Sequence, residues 1–149
     1  MFQQFFTYRR RNRVRRLSGY AIILVTFLLT LAAPSARATT ACSVTYTISP
    51  QNSSQFGAGL TINNTGTTAW TSWTLTWTFA NGQTISNGNL WNGIASQSGA
   101  NVTVTNQSYN GSVAAGGSTT GIGFNGTWNG TTNAVPTAFS INGMACTVN

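Results

Sequence analysis

Trp73-Thr74-Leu75-Thr76-Trp77-Thr78-Phe79 decides how this chain folds. Large apolar residues stand at every second position with threonine between them, so an extended strand puts the rings and Leu75 on one face and the hydroxyls on the other. A helix would scatter the same residues around its circumference. The alternation recurs outward from this stretch. Val44, Tyr46 and Ile48 alternate with Ser43, Thr45 and Thr47, and Phe56, Ala58, Leu60 and Ile62 alternate with Gly57, Gly59 and Thr61. Shorter strands are expected around Thr84-Ile85-Ser86, Ile94 to Gln97, Val102-Thr103-Val104, Ile122 to Phe124 and Phe139 to Ile141. Asn63-Asn64-Thr65-Gly66 reads as a turn, and Asn81-Gly82 as the turn of a hairpin. No stretch from Thr39 to Asn149 carries helical periodicity. Many short strands with dense turns predict an all-β fold, a two-sheet antiparallel β-sandwich.

The charge of the chain is concentrated at one end. All seven arginines lie at or before Arg37, in a segment with a basic start (Met1 to Arg16) and an apolar run (Leu17 to Ala33). Ala36-Arg37-Ala38 then offers a small-residue cleavage site, so residues 1–38 read as a secretory signal peptide and residues 39–149 as one exported domain. With the leader removed, no cationic surface remains to attract nucleic acid or anionic lipid.

From Thr39 to Asn149 there is no Asp, Glu, Lys, Arg or His. General acid–base catalysis needs a titratable group, and glycoside hydrolysis ordinarily needs two carboxyls. An ordinary transition-metal site needs imidazole, carboxylate or clustered thiolates. The composition therefore argues against an enzyme and against a metal or other cofactor, and in favour of recognition through neutral groups. The two cysteines, Cys42 and Cys146, bracket this body, and an exported chain with two cysteines is expected to pair them.

All five tryptophans lie in the exported body. Trp73 and Trp77 are in phase with Leu75 and Phe79 and belong to the core, while Trp70 is expected to pack at the strand entrance. Trp91 and Tyr109 differ: each is set among Asn, Gly and Ser, in Asn87-Gly88-Asn89-Leu90-Trp91-Asn92-Gly93 and Gln107-Ser108-Tyr109-Asn110-Gly111. Rings in such surroundings are candidates for exposure, where a flat apolar face stacks on a sugar ring and neighbouring amides bond its hydroxyls.

The ordered motifs Cys42-x-Val44-x-Tyr46, Thr61-Ile62-Asn63-Asn64-Thr65-Gly66, Trp73 to Phe79, Gln97-Ser98-Gly99, Tyr109-Asn110-Gly111-Ser112, Gly123-Phe124-Asn125-Gly126-Thr127-Trp128 and the closing Asn142-Gly143 and Cys146 resemble the bacterial family 2 carbohydrate-binding modules. The resemblance covers essentially all of 42–148. It implies an immunoglobulin-like sandwich, a Cys42–Cys146 bond joining its ends, and a flat face that binds crystalline cellulose or, in related subgroups, chitin or xylan. Trp91 and Tyr109 match the second and third of three aromatics on that face. Asn89 stands where the family often has a chain-bonding Gln, Asn125 matches the Asn of Gly-Phe-Asn-Gly, and Trp128 is read as packing.

The first of the three aromatics is missing. Its loop reads Ser49-Pro50-Gln51-Asn52-Ser53-Ser54-Gln55, where Gln51 or Asn52 could bond a hydroxyl instead. The reading is thus a secreted, extracellular, monomeric and non-catalytic module for insoluble polysaccharide, cellulose first, acting alone or beside separate glycoside hydrolases. The alternative is a sandwich reused as a cell-surface or matrix protein, which would be retained on no insoluble glycan.

Overall fold

A computed structural model describes residues 41–149, apart from the side chains of Asn87, Gly88 and Asn89; the proposed signal peptide, residues 1–38, lies outside the described residues. The described chain forms nine strands: β1 (Cys42–Gln51), β2 (Gln55–Asn64), β3 (Thr74–Thr78), β4 (Thr84–Trp91), β5 (Ile94–Ser98), β6 (Asn101–Thr105), β7 (Ser118–Thr127), β8 (Phe139–Ile141) and β9 (Met144–Val148). Their hydrogen-bonded order is β4-β7-β2-β1-β9-β8-β3-β6-β5. No helix occurs among the described residues, as the period of two required.

The layers face each other through the positions the alternation selected. Leu75 of β3 is flanked by Val104 and Ile141, and Trp77 by Val102 and Phe139. On the facing layer Tyr46, Leu60 and Ile122 form one row, and Ile48, Ala58, Phe124 and Leu90 another. Between the layers Trp77 stacks on Phe124, with ring centroids 6.1 Å apart, and Phe139 meets Tyr46 at 6.0 Å. Such aromatic contacts add about 0.5–1.5 kcal/mol each beyond burial. On the outer side Thr74, Thr76 and Thr78 lie opposite Thr105, Thr103 and Asn101.

Two features go beyond the sequence reading. Asn81-Gly82 makes a turn, with Gly82 at φ 71°, but not a hairpin. β3 pairs with β6 and β8, whereas β4 pairs with β7, so the chain crosses between layers there. Turn chemistry fixes local backbone geometry and says nothing of which strands then pair. The second feature is β9, which runs antiparallel to β8 and parallel to β1 and so joins the two layers into one nearly closed barrel.

The Cys42–Cys146 bond lies at this seam, with Cα atoms 4.8 Å apart and a sequence separation of 104. The parallel pairing beside it is short, Ser43 to Thr147 and Val44 to Val148, and is extended by Thr147 Oγ1 donating to the Cys42 carbonyl at 3.2 Å. At the opposite edge one side chain replaces a ladder. The Gln97 amide of β5 accepts from the Ile85 N–H of β4 at 2.8 Å and donates to the Gln83 carbonyl at 3.0 Å. It ties the two outermost strands together.

A crosslink closing a loop of this length restricts the unfolded chain by about 4–5 kcal/mol. The Cys42→Ser/Cys146→Ser variant is therefore expected to lose about 4 kcal/mol in urea unfolding. An unchanged midpoint would show that the β1–β9 seam holds without it.

Candidate glycan-binding site

Trp91 ends β4, and its register partner on β7 is Gly123. The indole lies close over that glycine: a methyl group on Gly123 would stand 2.5 Å from Trp91 Cζ2 and 2.7 Å from the Ala58 carbonyl oxygen. Only a residue without a side chain allows this approach. The ring keeps 47% of its surface exposed, whereas Trp73 and Trp77 are buried as the core reading required.

Tyr109 is 72% exposed and sits on the loop between β6 and β7. Asn92 connects the two rings. It follows Trp91 directly, adopts φ 60°, and its Oδ1 accepts the Tyr109 hydroxyl at 2.9 Å. Its Nδ2 donates to the Gly121 carbonyl at 2.7 Å, and its own carbonyl accepts from Asn110 Nδ2 at 2.8 Å. Asparagine tolerates the left-handed region better than most residues, which allows this tight link.

The Tyr109 loop is anchored to the core as well. Trp73 Nε1 donates to the Asn110 carbonyl at 2.8 Å, and the Trp73 N–H donates to Asn106 Oδ1 at 2.9 Å. The Gln107 N–H donates to Asn110 Oδ1 at 2.8 Å. Tyr109 is therefore exposed on a loop whose backbone is fixed from beneath.

Asn125 and Gln51 lie together, lining a recess of about 380 Å³ with Asn52, Gln55 and Ser86. Asn125 is exposed on β7, two residues beyond Gly123 and on the same outer face. Gln51 Oε1 accepts from Asn133 Nδ2 at 3.0 Å, and Asn52 Oδ1 accepts the N–H groups of Ser54 and Gln55. Trp128 is partly buried against the core and donates its Nε1 to the Asn52 carbonyl at 2.9 Å, as a packing residue. The side chain of Asn89 lies outside the described residues. Sequence reasoning did not single out Asn92 or Gly123, although an Asn-Gly pair and a glycine inside a strand were signals for both.

A model for the family described as "Cellulose binding domain" matches residues 42–146. The chain belongs to this family. It is 48% identical over 121 residues to exoglucanase A of Cellulomonas fimi, a stretch covering 78% of this chain and 13% of that enzyme. Among solved structures, the chitin-binding domain of Chi18aC from Streptomyces coelicolor matches with a TM-score of 0.58 and 31% identity, covering 72% of this chain and 96% of that one. The family 2 carbohydrate-binding domain from ScLPMO10C matches with a TM-score of 0.51 and 29% identity, covering 74% and 99%. The chain spans a quarter or less of the length of the curated relatives it matches. As a carbohydrate-binding module the domain is a binding unit rather than a catalytic one.

Two measurements follow from this geometry. Gly123→Ala should tilt Trp91 off the strand and lower glycan retention by about tenfold, the scale of one lost ring contact. Retention equal to wild type would show that the ring does not need its seat. The second concerns pH. Burial pushes the Tyr46 phenol above its ordinary value, while the described residues contain no carboxylate or imidazole side chain. Tyr46 thus contributes stability that is complete below about pH 10 and is lost as pH climbs from there toward the raised value. The melting temperature should be flat from about pH 5 to 9 and fall above about 10. A transition in mild acid would contradict it.

Proposed function

We propose that residues 39–149 are a secreted, non-catalytic module that holds insoluble polysaccharide, with cellulose as its first ligand and chitin or xylan as related ones. The observation that carries this reading is the pair of exposed rings, Trp91 and Tyr109, tied to one another through Asn92. A sugar presents an apolar C–H face to such rings and hydroxyls to the amides beside them. The family description names cellulose, and one structural neighbour is a chitin-binding domain, which supports this order of ligands.

Export rests on the leader, with its arginine-rich start, apolar run and Ala36-Arg37-Ala38 site. The body from Thr39 onward holds no Asp, Glu or His to supply general acid or base, so the domain brings no hydrolysis of its own. Relatives bearing the domain are named as exoglucanases and endoglucanases, and separate glycoside hydrolases are the partners it would work beside. It acts as a monomer.

The protein recovered from culture medium tests the whole reading. Its intact mass should begin at Thr39, and it should be retained on cellulose to a similar degree at low salt and at about 1 M, because no charge contributes. Trp91→Ala should remove most retention, Tyr109→Ala should cost about tenfold, and Tyr109→Trp should strengthen binding. Cooperative melting of Trp91→Ala/Tyr109→Ala together with undiminished retention would place the site on another face.

A further inference from the structure

Asparagine followed by glycine recurs through the domain, from Asn81-Gly82 to Asn142-Gly143. It is the pair most prone to lose ammonia, because a glycine nitrogen with no side chain beside it can reach the asparagine side-chain carbon. A bond forms between the glycine nitrogen and Cγ, the Cγ–Nδ2 bond breaks, and ammonia leaves a five-membered succinimide. Water then opens that ring at either carbonyl and gives an aspartyl residue or an isoaspartyl one, the latter with an extra carbon in the main chain. Only water is consumed. Since every such pair ends in glycine, what separates them is how the fold holds each amide and each glycine nitrogen.

Near the exposed rings the pairs are held shut. Asn92 donates to the Gly121 carbonyl and accepts the Tyr109 hydroxyl, and Gly93 after it is buried. Asn110 donates to the Asn92 carbonyl and accepts the Gln107 N–H, and Gly111 is buried as well. Asn142 is bound at both amide atoms, accepting the Thr74 N–H at 2.9 Å and donating to the Ser72 carbonyl at 3.2 Å. Asn129 Oδ1 accepts the N–H groups of Thr131 and Thr132. Asn125 lies in the β7 ladder, and the buried Gly126 is paired with both Phe56 and Ile85. Closing a succinimide at any of these sites breaks hydrogen bonds. Asn81-Gly82 has no such restraint. Asn81 is held by its backbone N–H, which donates to Gln83 Oε1 at 2.9 Å, while its side-chain amide makes no hydrogen bond among the described residues. Gly82 is exposed, at φ 71°, with no atom within 4 Å of the place a Cβ would take.

We infer that Asn81 is a modification site, the first of the Asn-Gly pairs with described side chains to deamidate, with water as its only co-reactant. This holds whichever ligand the exposed rings take. The damage falls on the crossover between the layers. An isoaspartyl link lengthens the main chain between the Asn81 N–H and Gln83, the buried residue that accepts it. Gln83 also donates to the Ala134 carbonyl, and its own carbonyl accepts from Gln97 Nε2. The product sets a carboxylate beside this buried amide, in a body that otherwise has none. The crossover therefore loosens with age, while Asn92 and Asn110 keep their hold on Trp91 and Tyr109.

Ageing the protein recovered from culture medium in mildly basic buffer, folded and in concentrated urea, tests this by peptide mapping of the amide-to-acid mass gain at each asparagine. In the folded protein Asn81 should convert about tenfold faster than Asn92, Asn110, Asn125, Asn129 or Asn142, the rate scale of one or two net hydrogen bonds. In urea the six should convert at similar rates. The melting temperature of aged wild type should fall, whereas that of Asn81→Gln, which keeps the backbone donor but forms a cyclic imide far more slowly, should hold. Any of the other five converting as fast as Asn81 in the folded protein overturns the assignment. So does an Asn81 that leads equally in urea, because its reactivity then owes nothing to the fold.

Discussion

From Thr39 onward the side chains able to reach between distant backbone groups are almost all amides of Asn and Gln, since no ionised residue is present. A buried polar group left unpaired costs about 1–3 kcal/mol, and here charge cannot compensate for it. The amides meet that constraint throughout. Asn64, buried at the end of β2, holds the following loop by donating to the Thr68 and Val113 carbonyls and accepting the Gly66 N–H. Buried Gln83 accepts from the Asn81 N–H and donates to the Ala134 carbonyl, fixing the crossover between the layers. Gln97 ties β4 to β5, and Asn142 accepts the Thr74 N–H at the entrance to β3. Among the described residues only Trp77 Nε1 is a buried side-chain polar atom without a hydrogen-bond partner. Its ring is held instead by stacking on Phe124 and by an edge-to-face contact with Phe79.

The same rule connects the core to the proposed glycan face. Trp73 is fully buried, yet its indole N–H reaches the backbone of Asn110, and its own N–H is held by Asn106. Asn110 in turn reaches Asn92, which accepts from Tyr109 and follows Trp91. One relay of neutral bonds thus runs from the apolar interior to both exposed rings. Rings held this way lose little further freedom when a ligand arrives, which favours binding by preorganisation. Truncating Trp73 would remove core volume and the Tyr109 support together, so its effect on binding could not be separated from its effect on folding.

The strands of both layers were legible because their apolar residues keep a period of two against Thr, Ser and Gly, as in Thr74 to Thr78 facing Thr105 to Asn101. β9 was not, because Met144-Ala145-Cys146-Thr147-Val148 buries no continuous face and is placed by its partners and the disulfide. Nor could Asn81-Gly82 reveal that the chain changes layer, since strand pairing is a non-local property. In the site, Trp91 and Tyr109 stood out as rings in polar surroundings, and Asn125 and Gln51 through resemblance. Asn92 and Gly123 act through a positive φ and a close approach that become visible only when β4 lies beside β7.

A neutral two-ring face has a limited reach in energy. If each ring hides about 60–100 Å² of apolar surface, the pair contributes about 3–5 kcal/mol at 25 cal/mol per Å². Association of a free molecule costs about 4–15 kcal/mol in lost translation and rotation, so two rings alone leave a short soluble sugar close to unbound. An insoluble polymer eases the problem by offering many equivalent places along each chain, which raises the effective concentration of sites. A single chain in solution has no such help and needs further contacts. On this surface those contacts cannot be ionic, because no charged side chain is present from Thr39 onward, and they fall to neutral hydrogen bonds. Each added neutral bond is worth about 0.5–1.5 kcal/mol, enough to move a marginal two-ring grip to a measurable one.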